Sequence, residues 1–196
     1  MTWEFTNDDL ERPIFIDPPD DIGRQDAWSG PYAFLLGGMG SPQKYEIAQE
    51  YFNAANSLVA SIRRQEIEDY AIANPVLFLY RHSIELMLKA AIGLNNEHDL
   101  GEMTERLEQK VKDKFGQNTP HWLISRLKEI SDIDPRSTSF RYAVKRSGKN
   151  GIVLEELGGE HYIDLHHLQR AMIALFSALA TIVGLELHGR LPEVSL

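Results

Sequence analysis

Residues 74–94, NPVLFLYRHSIELMLKAAIGL, decide the fold of this chain. Proline is favoured in the first turn of a helix, so Asn74–Pro75 predicts a helix that continues to about Leu94. At about 100° per residue, four polar side chains fall on one stripe of this helix, and they are Arg81, His82, Glu85 and Lys89. Because the other faces are largely apolar, we expect this helix in the middle of a bundle, with its polar stripe facing water or a lined cleft.

Helical periodicity also marks four other segments, which are residues 41–70, 101–115, 120–131 and 164–187. Ser41–Pro42 predicts the cap and first turn of the earliest of these helices, and Asp164 predicts the cap of the last. From Phe140 to Leu157, apolar residues alternate loosely around a polar turn, which predicts a small hairpin. The expected fold class is all-α: a helical bundle of four to five helices with a small β-hairpin insert and an irregular N-terminal arm.

Residues 1–41 have no sustained period, because their proline and glycine breakers are closely spaced. Residues 1–27 hold eight acidic and two basic residues. Aromatic side chains, Trp3 and Trp28 among them, make the segment too apolar for a free tail. We therefore divide the chain into an acidic, aromatic N-terminal arm, residues 1–41, and a helical bundle, residues 42–196.

The composition is typical of one globular domain, with 196 residues, 43% hydrophobic, 25% charged and a net charge of -9. The acidic balance disfavours non-specific attraction to nucleic acid or anionic membranes, although a local patch can override it. The absence of cysteine excludes disulfides and thiolate chemistry. The first residues lack a signal-peptide pattern, and Ala171–Leu185 is shorter than the roughly 20 residues of a bilayer span. We therefore expect a cytoplasmic protein without a membrane partner.

The polar stripe of the helix at residues 74–94 admits two interpretations. Glu85 lies one turn after Arg81 and one turn before Lys89, so its carboxylate can pair with both cations. One interpretation is an anion or phosphate site formed by the basic residues of the stripe, with Glu85 orienting them. The other is a solvated salt-bridge face. After the helix, Asp99 is placed to cap the next helix, and His98 to reach back toward Lys89.

This part of the chain resembles HEPN domains, named for higher eukaryotes and prokaryotes nucleotide-binding. RHSIELMLKAA, residues 81–91, is similar to the glutamate-leucine-lysine-alanine helix of that family. His98–Asp99–Leu100 is similar to the histidine-aspartate-leucine that follows it. Phe140–Arg141–Tyr142 is similar to an arginine-tyrosine pair that precedes the final helix in some members. The resemblance covers roughly residues 44–187.

The resemblance implies a bundle that self-associates as a homodimer and binds nucleotide or RNA, often in bacterial defence or toxin-antitoxin systems. Family members that cut RNA do so without a metal and carry an arginine a few residues before a histidine. Here no arginine stands five to seven residues before any of the seven histidines. Because the chain departs from the ribonuclease motif, we expect a non-catalytic member, and we assign no catalytic residue.

A basic segment supports the same expectation. Residues 135–154 contain no acidic residue and five cations, which are Arg136, Arg141, Lys145, Arg146 and Lys149. Such a segment is typical of a phosphate footprint, and Phe140 or Tyr142 can stack a base. Alternatively, it pairs with the acidic arm. The candidate ligand-binding residues are Arg81, His82, Glu85, Lys89, His98, Arg136, Arg141, Tyr142, Lys145 and Arg146.

Two other motifs give weaker indications of a binding site. His161, His166 and His167 surround Asp164, but their spacing matches no metal motif, and residues 37–41 lack the rest of a phosphate-binding loop. We therefore expect neither a metal nor a cofactor. The alternative function is a protein-interaction module whose arm binds a partner protein. The third is a metal-independent ribonuclease with a diverged site, in which Arg141 meets a histidine in space.

Overall fold

The computed structural model describes residues 4, 6, 10–15, 43–93, 96–142, 144–147, 153–156 and 160–188. Contacts between Cα atoms divide the chain into two units, Met1–Ser41 and Pro42–Leu196. In the first unit, the side chains of Leu10, Ile14 and Phe15 are exposed. Its aromatic residues Trp3 and Trp28 lie outside the described residues. The elements below all belong to the second unit.

The second unit is a bundle of α-helices, and the fold class is all-α as predicted. Its helices are α1 Lys44–Arg63, α2 Asp69–Ile92, α3 Leu100–Phe115, α4 His121–Ile133, α5 Ser139–Tyr142 and α6 Leu165–His188. Two four-residue strands, β1 Val144–Ser147 and β2 Val153–Glu156, pair antiparallel with Val144 opposite Glu156. Of the polar turn predicted at residues 147–151, Ser147 is the last residue of β1, and residues 148–151 lie outside the described residues. The prediction of an extended segment from Phe140 was wrong, because residues 139–142 form a turn of helix.

Helix α1 is shorter than its apolar periodicity predicts. It begins at Lys44, where Glu46 accepts a hydrogen bond from the Gln43 backbone N–H at 2.6 Å, and it ends at Arg63 rather than near Tyr70. Gln65 has a φ of 59°, a left-handed conformation that cannot continue the helix. The predicted cap at Ser41–Pro42 lies outside the described residues.

Helix α2 begins earlier than predicted, at Asp69, and is interrupted at Ile72, where φ is -130° and ψ is 15°. Pro75 therefore lies in the first turn after a break. Proline is tolerated there because the first backbone N–H groups of a helix have no intrahelical partner. The helix ends at Ile92, and its C-cap Gly93 has a φ of 77°, the left-handed conformation that glycine adopts without strain.

The two predicted aspartate caps are confirmed. The Asp99 carboxylate accepts hydrogen bonds from the backbone of Gly101 at 3.0 Å and Glu102 at 3.2 Å. At the start of α6, the Asp164 carboxylate accepts from His166 at 2.8 Å and His167 at 3.0 Å. The hydrogen bonds that these two backbone N–H groups donate hold the pKa of Asp164 below its usual value, although desolvation opposes them.

Helix α2 lies in the middle of the bundle, as its sequence predicts, and contacts α1, α3, α5 and α6. Its inner face contributes Ile84 and Leu88, which are fully buried. On α1 and α6, Phe52 and Phe176 stack with their ring centroids 4.1 Å apart. Among the described residues, only Leu165–Leu185 of α6 is long and apolar enough to span a bilayer by length and composition.

Candidate ligand-binding site

A buried network of charges lies on α2, at the position of the predicted polar stripe. Arg81 and Glu85 are each 1% exposed, and Lys89 is 5% exposed. Glu85 accepts hydrogen bonds from the Arg81 guanidinium and, at 2.8 Å, from Lys89 Nζ. His98 Nδ1 lies 2.9 Å from the same Glu85 carboxylate and 3.3 Å from Lys89 Nζ, as its predicted reach toward Lys89 requires. We call these four residues the buried network.

Arg81 connects this network to two loops. Its Nε donates to the carbonyl oxygen of Asp134 at 3.1 Å. Its Nη2 donates to the carbonyl oxygens of His98 and Pro135, each at 3.0 Å. The guanidinium therefore joins α2 to the segment before α3 and to the segment after α4. Four of its five N–H donors are used within the protein and the residue is 1% exposed, which makes Arg81 a poor ligand for an external anion.

The interpretation of this stripe as a solvated salt-bridge face is wrong. Burial alone would raise the pKa of the Glu85 carboxyl, but Arg81, Lys89 and His98 together hold that pKa below its usual value. The carboxylate is therefore charged and fully paired inside the bundle. His98 is the exposed member, since 65% of its side chain is accessible.

His82 belongs to a second cluster, on the neighbouring side of α2. Its ring meets Tyr51 edge-on at 4.6 Å between centroids and stacks against Phe78 at 5.5 Å. The Arg141 guanidinium carbon lies 5.7 Å from the centroid of Phe78 and 5.2 Å from that of Tyr142. We call these five residues the Arg141 cluster. The cluster brings together three residues predicted from the sequence, His82, Arg141 and Tyr142. It also contains Tyr51 and Phe78, which were not predicted.

The cluster combines a neutral base with an exposed cation. Burial lowers the pKa of His82; nearby Glu85 raises it, and Arg81, Lys89 and Arg141 lower it further. Arg141 is exposed, and its Nε donates to the carbonyl oxygen of Ser137. Among the side chains that the structure describes, which leave out those of β1 and β2, no carboxylate lies within ion-pair distance of Arg141.

The one-turn helix α5, which carries Arg141, is held by Asp134. One oxygen of this carboxylate accepts from the backbone N–H of Thr138 at 2.7 Å and of Ser139 at 3.0 Å. The Ser139 hydroxyl donates to the carbonyl oxygen of Ile133 at 2.8 Å. Asp134 is not among the residues predicted from the sequence, although an aspartate shortly before a serine-threonine run is a recognisable turn signal.

The remaining candidates are placed differently. Arg136 pairs with the helix cap Asp99 at 3.4 Å. Lys145 and Arg146 lie on β1, opposite Glu155 and Leu154 of β2. Lys149 lies outside the described residues. Within the described ranges, no group of three histidine or acidic side chains is arranged to hold a metal ion.

An open cleft of about 1190 Å³ lies between α2, α4 and α6. Leu77 and Met172 line its apolar part, and His161 and His167 lie at its polar part. Phe140, the neighbour of Arg141 on α5, also lines the cleft. Comparison with protein-family models, curated proteins and solved structures returns no match to this chain.

Proposed function

We propose that this chain is a HEPN-like bundle that binds nucleotide or single-stranded RNA at the Arg141 cluster, without cleaving it. The observation that carries the proposal is the exposed Arg141 guanidinium, which lies by the rings of Phe78 and Tyr142 and has no carboxylate partner among the side chains that the structure describes. An arginine on an aromatic face keeps N–H groups at its edge for a phosphate.

Tyr142 supplies the second element of a nucleotide site. Its side chain is 65% exposed, although aromatic rings of this size are usually covered. A base that stacks on such a ring gains roughly 1–3 kcal/mol whatever its identity. Arg141 and Tyr142 are adjacent in the chain, so a phosphate contact and a stacking contact lie one residue apart, a spacing that suits one nucleotide.

Further basic residues follow Arg141 and Tyr142 in the chain. Lys145 and Arg146 follow on β1, and residues 135–154 contain no acidic residue. Such a local basic segment provides an electrostatic footprint for phosphates in a chain of net charge -9. Arg81 and Lys89 support the site in this proposal without contacting the ligand, because both are engaged in the buried network.

The proposal assigns no catalytic residue. A general acid or base needs a proton-transfer partner within hydrogen-bond reach of the substrate. His82 is packed between Tyr51 and Phe78, and the arginine-histidine spacing of the ribonuclease members is missing. From the resemblance to HEPN domains, we also propose that the chain forms a homodimer and acts in bacterial defence or toxin-antitoxin systems.

The test is a fluorescence anisotropy titration of labelled single-stranded RNA at two salt concentrations. We expect Arg141→Gln to weaken binding roughly tenfold and to lower the salt slope by about 0.7, the value of one phosphate contact to a single strand. Arg126→Gln is the matched control, because Arg126 is exposed on α4 but pairs with Glu129. Absence of binding by the unsubstituted chain would contradict the proposal, and RNA fragments on a gel of the same samples would contradict its non-catalytic part.

A further inference from the structure

We infer that Asp134 is a positioning residue for the Arg141 site, holding the turn that presents Arg141 without contacting the ligand itself. This inference rests on the proposed function, because it assigns a role at the same site. Asp134 is 0% exposed, so no ligand in solution reaches its carboxylate. Its effect on binding therefore passes through the backbone that it holds.

The segment that carries Arg141 needs such support. Helix α5 has four residues, and a single helical turn is unstable by itself, because nucleation of a helix is costly. Ser137, immediately before it, has a φ of 58°, a left-handed conformation that is unfavourable for serine. The Arg141 side chain donates to the carbonyl oxygen of this same Ser137. The direction of the guanidinium thus depends on a turn that is strained and short.

Asp134 stabilises this turn at its start. Its Oδ1 accepts two backbone hydrogen bonds, from Thr138 at 2.7 Å and Ser139 at 3.0 Å. The turn closes at its other end, where the Tyr142 N–H donates to the Thr138 carbonyl at 2.9 Å. Asp134, the C-cap residue of α4, therefore binds the first backbone N–H groups of the turn on which Arg141 and Tyr142 both lie.

Asp134 is itself anchored to the centre of the bundle. The Arg81 Nε donates to the Asp134 carbonyl at 3.1 Å and lies 3.6 Å from its carboxylate Oδ2. Arg81 is in turn bound to Glu85 on the same helix. The contacts run without interruption from α2 through Asp134 to α5, so the exposed Arg141 is fixed relative to the buried network.

The experiment compares Asp134→Ala, Asp134→Asn and Ser139→Ala in the full chain. Alanine at position 134 removes the two hydrogen bonds to the turn, whereas asparagine keeps an oxygen that accepts them. Ser139→Ala removes the separate tether to Ile133 and leaves the buried charges untouched, so it reports on the turn even if Asp134→Ala folds poorly. Two quantities are measured: RNA affinity as a function of salt, and hydrogen exchange of the amides of residues 138–142 without RNA.

We expect Asp134→Ala to weaken RNA binding about fivefold, the effect of losing its two hydrogen bonds to the turn, and Ser139→Ala to weaken it about twofold. Neither should change the salt slope, because neither removes a phosphate contact. Asp134→Asn should restore most of the affinity. The amides of residues 138–142 should exchange at least fivefold faster in Asp134→Ala than in the unsubstituted chain.

The outcomes separate this inference from the proposed function. If the unsubstituted chain binds RNA and Asp134→Ala binds equally well, or loses affinity with a lower salt slope, the positioning role is overturned and the RNA site stands. If the unsubstituted chain does not bind RNA, the proposed function fails, and exchange at residues 138–142 decides whether Asp134 holds the turn. Unchanged exchange in Asp134→Ala overturns the inference in either case.

Discussion

Replacing Arg81 by methionine tests whether the buried network holds the bundle together. Methionine is shorter than arginine but has a similar volume, so the change removes mainly the charge and the donors. The carbonyl oxygens of His98, Asp134 and Pro135 lose hydrogen bonds of 3.0 to 3.1 Å, and Glu85 keeps Lys89 as its cation on α2.

The magnitude follows from these losses. The carbonyls of His98 and Asp134 lose the donor that Arg81 supplies, at about 1 kcal/mol each, whereas the Pro135 carbonyl keeps the Leu100 N–H at 3.1 Å. Breaking a buried ion pair by removing one partner costs about 3–5 kcal/mol in all. We therefore expect Arg81→Met to lower the free energy of unfolding by about 4 kcal/mol. That is a large part of the roughly 5–15 kcal/mol by which most domains are stable.

The assay is urea denaturation at pH 7.5, followed by far-ultraviolet circular dichroism. Arg126→Met is the matched control, because Arg126 pairs with Glu129 on the exposed face of α4 and is 43% accessible. An exposed pair contributes little, so the control should lose less than about 1 kcal/mol. If Arg81→Met loses no more than Arg126→Met at an unchanged denaturant slope, the buried network does not stabilise the bundle.

Three further predictions concern stability. Leu88→Ala should cost about 3 kcal/mol in urea denaturation, because it opens a cavity at a fully buried position of α2, and a loss below 1 kcal/mol would show that the core refills. Asp99→Ala should cost about 1 kcal/mol by removing the cap of α3; a thermal midpoint equal to that of the parent would argue against this cap. Burial lowers the pKa of His82 from its ordinary 6.5, so the unfolded chain binds the proton more readily and stability should fall as pH drops below about 6.5. His82→Gln should show a smaller loss of stability than the parent between pH 7.5 and 5.5, and identical losses would contradict the shift.

Local signals in the sequence were sufficient to predict the two aspartate helix caps. Asp99 and Asp164 bond to N–H groups two and three residues away, so the sequence beside each aspartate contains the whole arrangement. The ends of α1 and the start of α2 were harder to predict. Apolar periodicity continues past Arg63, and the breaks at Gln65 and Ile72 are backbone conformations that these residue types do not announce.

The polar stripe shows where helical periodicity stops being informative. It predicts correctly that Arg81, Glu85 and Lys89 share one face, because that depends only on residues one turn apart. Whether the face is covered depends on His98 and Pro135, which are 17 and 54 residues from Arg81 along the chain. A solvated face was therefore one of the two interpretations of this charged stripe. In the structure, the segment before α3 and the segment after α4 cover it.

The contacts of Arg81 with distant loops also bear on how long the native state lasts. The Asp134 and Pro135 carbonyls lie 53 and 54 residues along the chain, beyond α3 and α4, so we expect them to reach the guanidinium only once these two helices have docked. Interactions completed after the folding transition state govern the rate of unfolding and leave the rate of folding nearly unchanged. We therefore expect Arg81→Met to speed unfolding by up to roughly a thousandfold while refolding keeps its rate. A single buried arginine then sets the lifetime of the folded bundle, and with it the exposure of the chain to proteolysis.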